Sequence, residues 1–384
     1  MWHDFQFLVD PAPPYRTSGL RFIAEVAEPV ALPNGSVDDP STLGWIDEYI
    51  DKLRAENDLS GSVLLARGDR VFYRRTFGFA DVAGTRPVSE ATQFNLGSGN
   101  KMFTALVIVQ LAEEGRLRLE DPIAKYFPDF PDPGAAGQIT LRHLLSHSSG
   151  IGDYWTDYYD SHGRQVTTLA EMLPFVYKEI RDDGLYFEPG SAHRYSNSGF
   201  VLLGLVIEQV TGQSYYDAVA ERIYRPLGLD HTDSYLYGSS TDLAQPMIRD
   251  ESAPEGGAAR WAEAPHGRRG TSAGGGYSTL DDMLRFARGL VGGAIVPRPV
   301  LAEMATMQPP IEEDFYGYGL GFLVQRSQTG GKLSFGHGGI AHGINFELRY
   351  FPSEDVTLVA FGNQDNGAYD DLRRNLVKLI TGDR

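Results

Sequence analysis

The chain has 384 residues, 42% of them hydrophobic and 11% aromatic, enough to bury a substantial core in one large domain or two intimate ones and too much for a disordered or fibrous chain. A formal charge of -17 and a pI near 4.9 exclude nucleic acid and anionic membrane as favoured partners, because long-range repulsion opposes both. With no cysteine there is no disulfide, no thiolate metal site and no cysteine nucleophile.

In chain order, Met1-Trp2-His3-Asp4-Phe5 lacks the basic start and apolar run of a signal peptide, and no stretch reaches the roughly 18 apolar residues of a membrane span. That reads as a cytoplasmic chain or as one whose leader has been removed. Residues 1–40 carry Pro11, Pro13, Pro14, Pro29, Pro33 and Pro40 with little periodicity, and are expected to be an N-terminal extension on the surface. A helix is predicted over 44–56, followed by a hairpin in which Ser62–Arg67 and Arg70–Thr76 flank Gly68-Asp69. Residues 101–114 are apolar-rich and end at Gly115, so a helix starts near Ser98. The middle, 116–270, shows helical patterning with long loops, including a turn at Phe187-Glu188-Pro189-Gly190 and an apolar helix from Gly199 to Val210. A helix from Thr279 to Leu290 follows. Strands are predicted at Tyr318–Arg326, Lys332–Gly336, Ile344–Phe351 and Val356–Phe361, and a closing helix at Tyr369–Ile380.

Three polar boxes interrupt this pattern. In Ser98-Gly99-Asn100-Lys101 the serine and the lysine, the one lysine of six with a serine three positions before it, share a helix face. The helix N-terminus there favours a developing oxyanion; the bland alternative is an N-cap beside a solvated lysine, against which the dipole leans. In Tyr195-Ser196-Asn197 a phenol and an amide sit on a loop between ordered elements, where functional side chains are commonly presented, or serve as a rim aromatic and a helix cap at Asn197 or Ser198. His337-Gly338-Gly339 lies in a strand with more glycine than packing wants, which marks close approach of a ligand or another backbone, although His337 also reads as a satisfied buried or edge histidine.

The order of these boxes resembles the serine beta-lactamase and penicillin-binding-protein superfamily, in the branch of class C-like lactamases, carboxylesterases and D-amino-acid peptidases. Leu119–Pro128, Ile139–Ile151 and Arg225–Leu229 resemble family segments at the expected places, and the similarity covers roughly residues 44 to 382. The resemblance implies an α+β fold of the beta-lactamase/transpeptidase type. An α/β region with an antiparallel sheet flanked by helices (41–115 and 271–384) carries an inserted, mostly helical region (116–270). It also implies a covalent ester on Ser98, a base system of Lys101 and Tyr195, and an oxyanion hole from the backbone N–H groups of Ser98 and Ile340. Which of Lys101 and Tyr195 takes the Ser98 proton stays open at this stage. Asn197 and His337 are expected to orient substrate, and Tyr154, Trp155, Gly338 and Gly339 to line the pocket. No separate deacylating glutamate stands out, so Tyr195 is expected to serve both half-reactions.

Other classes fit less well. An α/β-hydrolase elbow fails because Leu96 occupies the first glycine position around Ser98. His143 and His147 are spaced i, i+4 as on a zinc helix, but Leu144 replaces the glutamate of that motif, so structural histidines are expected and no metal or cofactor. The aromatic run Tyr154–Tyr159 could form an interaction patch on a binding protein, a role that does not require Ser98, Lys101, Tyr195 and Asn197 together. The expected partner is a small-molecule ester or amide. Many relatives carry a lysine at the His337 position; a histidine, mostly neutral at pH 7, favours neutral short acyl esters, then D-amino-acid amides or peptides, then beta-lactams.

Overall fold

Val63 and Leu65 point to one face of a seven-stranded sheet and Leu64 and Ala66 to the other, because successive side chains of a strand alternate, and this sorts the interior into two cores. The computed structural model describes residues 2–9, 17–26, 30–250, 261–308, 316–327 and 331–383. Its strands are β1 (Trp2–Val9), β2 (Thr17–Val26), β3 (Gly61–Arg67), β4 (Arg70–Phe77), β5 (Phe94–Asn95), β6 (Met247–Arg249), β7 (Trp261–Glu263), β8 (Tyr277–Ser278), β9 (Tyr316–Tyr318), β10 (Leu323–Arg326), β11 (Leu333–Ala341), β12 (Ile344–Phe351) and β13 (Val356–Gly362). Its α-helices are α1 (Pro40–Asn57), α2 (Asn100–Glu113), α3 (Pro133–Gln138), α4 (Leu141–Leu145), α5 (Asp157–His162), α6 (Leu173–Asp183), α7 (Asn197–Thr211), α8 (Tyr215–Val219), α9 (Arg225–Leu227), α10 (Leu280–Gly292), α11 (Arg298–Met304) and α12 (Ala368–Thr381).

The sheet runs β4-β3-β13-β12-β11-β10-β9 with every neighbour antiparallel, so the first hairpin and the last strands close one surface from opposite ends of the chain. On one face α1 and α12 cover Val63, Leu65, Leu358 and Ala360 with Ile46, Ile50, Leu372 and Leu376. On the other face Leu64, Val359, Phe361 and Phe346 join the larger core built by α2, α7 and α10. This is the α+β architecture expected, with helices on both faces of an antiparallel sheet.

Helix α2 is buried on nearly every side from Asn100 to Val109, as a helix without a polar face must be. Lys101, in its first turn, is fully buried. Helix α7 begins where the Ser196 side chain accepts from the Gly199 N–H and ends at Gly212, whose φ of 73° suits a residue without Cβ. Ser196 is thus the cap, and neither Asn197 nor Ser198, the caps of the bland alternative, fills that role.

Three expectations change. The N-terminal extension is not irregular throughout: β1 and β2 pair as an antiparallel hairpin, while residues 1, 10–16 and 27–29 of that extension lie outside the described residues. The strand expected over Tyr318–Arg326 is two, β9 and β10, because the Gly319 N–H bonds back to the Phe322 carbonyl and Gly321 turns at a φ of 81°. The middle region also contains a short antiparallel pair, β6 with β7.

Candidate active site

The three boxes converge because β5 pairs with β8 beside the first of them. That pairing sets Gly97–Gly99, one turn of 3-10 helix before α2, against the Gly274–Gly275 loop, whose Gly275 N–H donates to the Gly97 carbonyl at 2.9 Å. The Asn95 side chain accepts from the Gly97 N–H at 2.8 Å and holds the turn from the other side. Ser98 is half-buried at the head of α2, and its hydroxyl does not cap the helix. It faces Lys101.

Lys101 is fully buried, and its Nζ donates to Ser98 Oγ at 3.2 Å, to Asn197 Oδ1 at 2.6 Å and to the Ala273 carbonyl. Burial, partly opposed by the Asp153 charge, lowers its pKa to about 7, so the neutral amine is accessible at ordinary pH. The neutral amine keeps two N–H bonds and one lone pair. Neither Asn197 Oδ1 nor the Ala273 carbonyl carries a hydrogen, so those two take the N–H bonds and the lone pair is left pointing at the Ser98 hydroxyl. This is the geometry of a direct base. Tyr195 presents its ring to the same amine, with Nζ 4.7 Å from the ring centroid.

Asn197 opens α7 and lies between two charges. Its amide oxygen accepts from Lys101, and its Nδ2 donates to Asp153 Oδ2 at 2.7 Å, with the backbone N–H reaching the same oxygen at 3.3 Å. Sequence reasoning missed Asp153. His147, expected as a structural histidine, sits at a φ of 56°, accepts from the Ser196 N–H through Nδ1 at 3.1 Å, and packs its ring 4.2 Å from that of Tyr195. Burial first, then the nearby Lys101 charge, holds His147 well below the usual imidazole range, so it acts as a neutral wedge behind the Tyr195 box.

The third box divides. β10 pairs only with Leu333–Gly336, which leaves the edge of β11 beyond His337 facing the Gly97–Gly99 turn. A Cβ on Gly339 would lie 2.0 Å from the Leu96 carbonyl oxygen, and one on Gly97 would lie 3.3 Å from the Ile340 backbone nitrogen, so glycine at both positions permits the two backbones to touch. The Ser98 and Ile340 amides thus belong to two segments in direct contact. His337, expected to orient substrate, does not line the cleft. It is 2% exposed, with Nε2 2.9 Å from the Tyr318 hydroxyl and Nδ1 against the Gly338 carbonyl, and burial lowers its pKa to about 3. Strand alternation accounts for this, since Ile340 lines the cleft and a residue three positions earlier faces the other way.

A cleft of about 760 Å³, counted to its open mouth, begins at Ser98 and Asn197 and runs along the Gly270–Gly275 loop toward Tyr154, Trp155 and Tyr159. Of the four expected pocket residues, Tyr154 and Trp155 line it; Gly338 and Gly339 do not, and Gly339 is spent on the backbone contact with Leu96. Arg269 lines it as well and was not anticipated. His143 and His147 take separate roles: the His143 ring accepts from the Thr140 N–H at 3.3 Å in a capping box at the start of α4.

A family model described as Beta-lactamase matches residues 46–382. Among curated proteins, a penicillin-binding protein of Bacillus subtilis strain 168 is 28% identical over 347 residues, covering 85% of this chain and 73% of that one. Among solved structures, a penicillin binding protein from Bacillus halodurans superposes with a TM-score of 0.75 at 27% identity, covering 86% of this chain and 98% of the other. A D-stereospecific amidohydrolase from Streptomyces sp. superposes with a TM-score of 0.70 at 26% identity, covering 88% and 97%.

Proposed function

The chain belongs to the beta-lactamase family of serine hydrolases, and from that premise we propose that it hydrolyses short-chain acyl esters through a covalent acyl-enzyme on Ser98. The observation that carries this reading is the buried Lys101 amine, 3.2 Å from Ser98 Oγ, with a pKa near 7 and its lone pair aimed at the hydroxyl. In the first half-reaction Lys101 takes the hydroxyl proton as Oγ adds to the ester carbonyl, and the oxyanion forms against the Ser98 and Ile340 N–H groups. The intermediate then collapses. The C–O bond to the alcohol breaks, and the proton on Lys101 passes to the departing alkoxide, directly or through the Tyr195 hydroxyl. In the second half-reaction water adds to the acyl carbon, giving its proton to the same base. Cleavage of the Oγ–carbon bond returns that proton to Ser98 and releases the acid.

The neutral, buried His337 supports esters over substrates needing a cation beside the nucleophile. A D-amino-acid amide or peptide is the second reading, favoured by the likeness to the Streptomyces D-stereospecific amidohydrolase. A fluorophosphonate probe should label Ser98 in the wild type and nothing in Ser98→Ala; labelling that survives removes Ser98 as nucleophile. Values of kcat/KM for a p-nitrophenyl short-chain ester, a D-alanyl p-nitroanilide and a chromogenic cephalosporin then rank the substrates. A cephalosporin preferred by orders of magnitude overturns the ester reading.

A further inference from the structure

The cleft that starts at Ser98 is lined by four basic side chains, Arg164, His266, Arg269 and His342, and by no carboxylate, in a chain with 51 acidic residues against 34 lysines and arginines. Three of the four are already paired. Arg164 meets Asp160 at 2.8 Å, His266 meets Glu263 at 3.0 Å, and His342 meets Asp365 at 3.0 Å. Arg269 differs: its Nε donates to the Ser234 carbonyl at 2.9 Å and its guanidinium stacks 3.4 Å from the centroid of the Tyr216 ring. Among the described residues no carboxylate lies within ion-pair distance of it, and none of their hydrogen bonds uses its two Nη atoms. Asp233 feels the charge but accepts from the Ser234 N–H at 2.7 Å instead of pairing.

The stacking and the Nε bond fix the plane of the guanidinium, leaving a pre-organised two-nitrogen fork, the arrangement that binds a carboxylate bidentately. Arg269 also immediately precedes the Gly270–Gly275 loop, whose Gly275 N–H bonds the turn carrying Ser98. Lys101 and Tyr195, which supply the proton to the leaving group, are not among the residues lining this cleft. The leaving group must face them, so the cleft receives the acyl part. We propose that Arg269 forms the anion-binding end of the acyl subsite and that the preferred acyl group carries a carboxylate, as a dicarboxylic half-ester does. The proposal rests on the acyl-enzyme reading above and revises the neutral acyl group expected from His337: the cation missing at 337 stands at 269.

The test compares monophenyl glutarate and monophenyl adipate with phenyl pentanoate and phenyl hexanoate, which match them in acyl length, by phenol release from the full chain. The wild type should prefer one of the anionic esters by roughly 30-fold in kcat/KM at low salt, with the preference shrinking as salt is added. Arg269→Gln should lower that anionic-to-neutral ratio at least 10-fold, and Arg269→Lys should fall between. Continued fluorophosphonate labelling of Ser98 identifies a folded variant. A wild type indifferent to the charge, or a ratio unmoved by Arg269→Gln, overturns the proposal. The same ratio is read without turnover from the concentrations of adipate monomethylamide and N-methylhexanamide that protect Ser98 from the probe. If no ester is hydrolysed but the anionic amide protects better and Arg269→Gln abolishes the difference, the ester reading fails while the role of Arg269 stands.

Discussion

Asp153 holds Asn197 by two bonds to one carboxylate oxygen, 2.7 Å from the side-chain Nδ2 and 3.3 Å from the backbone N–H. That grip fixes which end of the amide faces Lys101. With Nδ2 committed to Asp153, the oxygen points at Nζ, and the lysine has an acceptor where a flipped amide would offer a second donor. Asp153 touches no reacting atom in this geometry; it is a positioning residue that also acts through its charge.

Two substitutions separate those effects. Asp153→Asn removes the charge and keeps an acceptor, whereas Asp153→Ala removes both. Because the Asp153 charge raises the Lys101 pKa, its loss lowers that pKa, so the acidic limb of the kcat/KM profile should move to lower pH in both variants. Only Asp153→Ala should also lose about 10- to 100-fold in kcat, from a misdirected Asn197. An acidic limb that stays in place in both would refute the electrostatic link.

Lys101 itself sets the second expectation. A base with a pKa near 7 is competent only when neutral, so kcat/KM should rise with pH through about 7 and level off above it. His337 cannot produce that limb, since its pKa is held near 3. Lys101→Arg keeps a cation and removes the accessible lone pair, because a guanidinium stays protonated, and should cost on the order of 1000-fold or more. A variant retaining a tenth of wild-type kcat/KM would exclude Lys101 as the base.

These residues differ in how far the sequence alone could reach them. Ser98 and Lys101 were legible because i, i+3 on a helix is a local rule, and the strands β3, β4, β12 and β13 because alternation and turn glycines are local too. Asp153 and Asn197 lie 44 positions apart, and no spacing rule brings a carboxylate in one loop to the first residue of a distant helix. His337 was misplaced for a related reason. Period-2 alternation says that His337 and Ile340 face opposite ways, but only the packing of β11 against the Gly97–Gly99 turn decides which face is the cleft. Arg269 was invisible because its meaning depends on a carboxylate partner that the other three basic residues of the cleft have and that it lacks among the described residues.

Glu179 offers a prediction about stability. Its side chain is 5% exposed and packed against Gly152, next to the segment that carries Asp153. Burial, helped by the charges of Asp183 and Asp153, raises its pKa from 4.5 to about 7. The folded state therefore binds a proton that the unfolded state has already released between pH 4.5 and 7. The stability contributed by this group is full below the unfolded value and is lost as pH rises through 7, by about 3 kcal/mol in total. Glu179→Gln should abolish that fall, so denaturant midpoints of variant and wild type should diverge between pH 5 and 8 in favour of the variant. Parallel curves would show that Glu179 titrates normally.

Gly339 tests the backbone contact on which the oxyanion hole depends. A Cβ there would sit 2.0 Å from the Leu96 carbonyl oxygen and 3.0 Å from Gly97 Cα, both backbone atoms of a turn that Asn95 and Gly275 also hold. The turn cannot yield without breaking those bonds, so Gly339→Ala should cost about 2 to 3 kcal/mol in stability. Separating the Ser98 and Ile340 amides by even 1 Å should also lower kcat/KM roughly 100-fold. Gly338→Ala is the control: its Cβ would meet a side-chain oxygen of Glu347 at 3.3 Å and not the Leu96–Gly97 backbone, so stability should change by less than about 1 kcal/mol and activity little. Equal losses from the two alanines would mean that β11 tolerates no side chain anywhere in the box, and the specific contact between Gly339 and Leu96 would lose its role in forming the site.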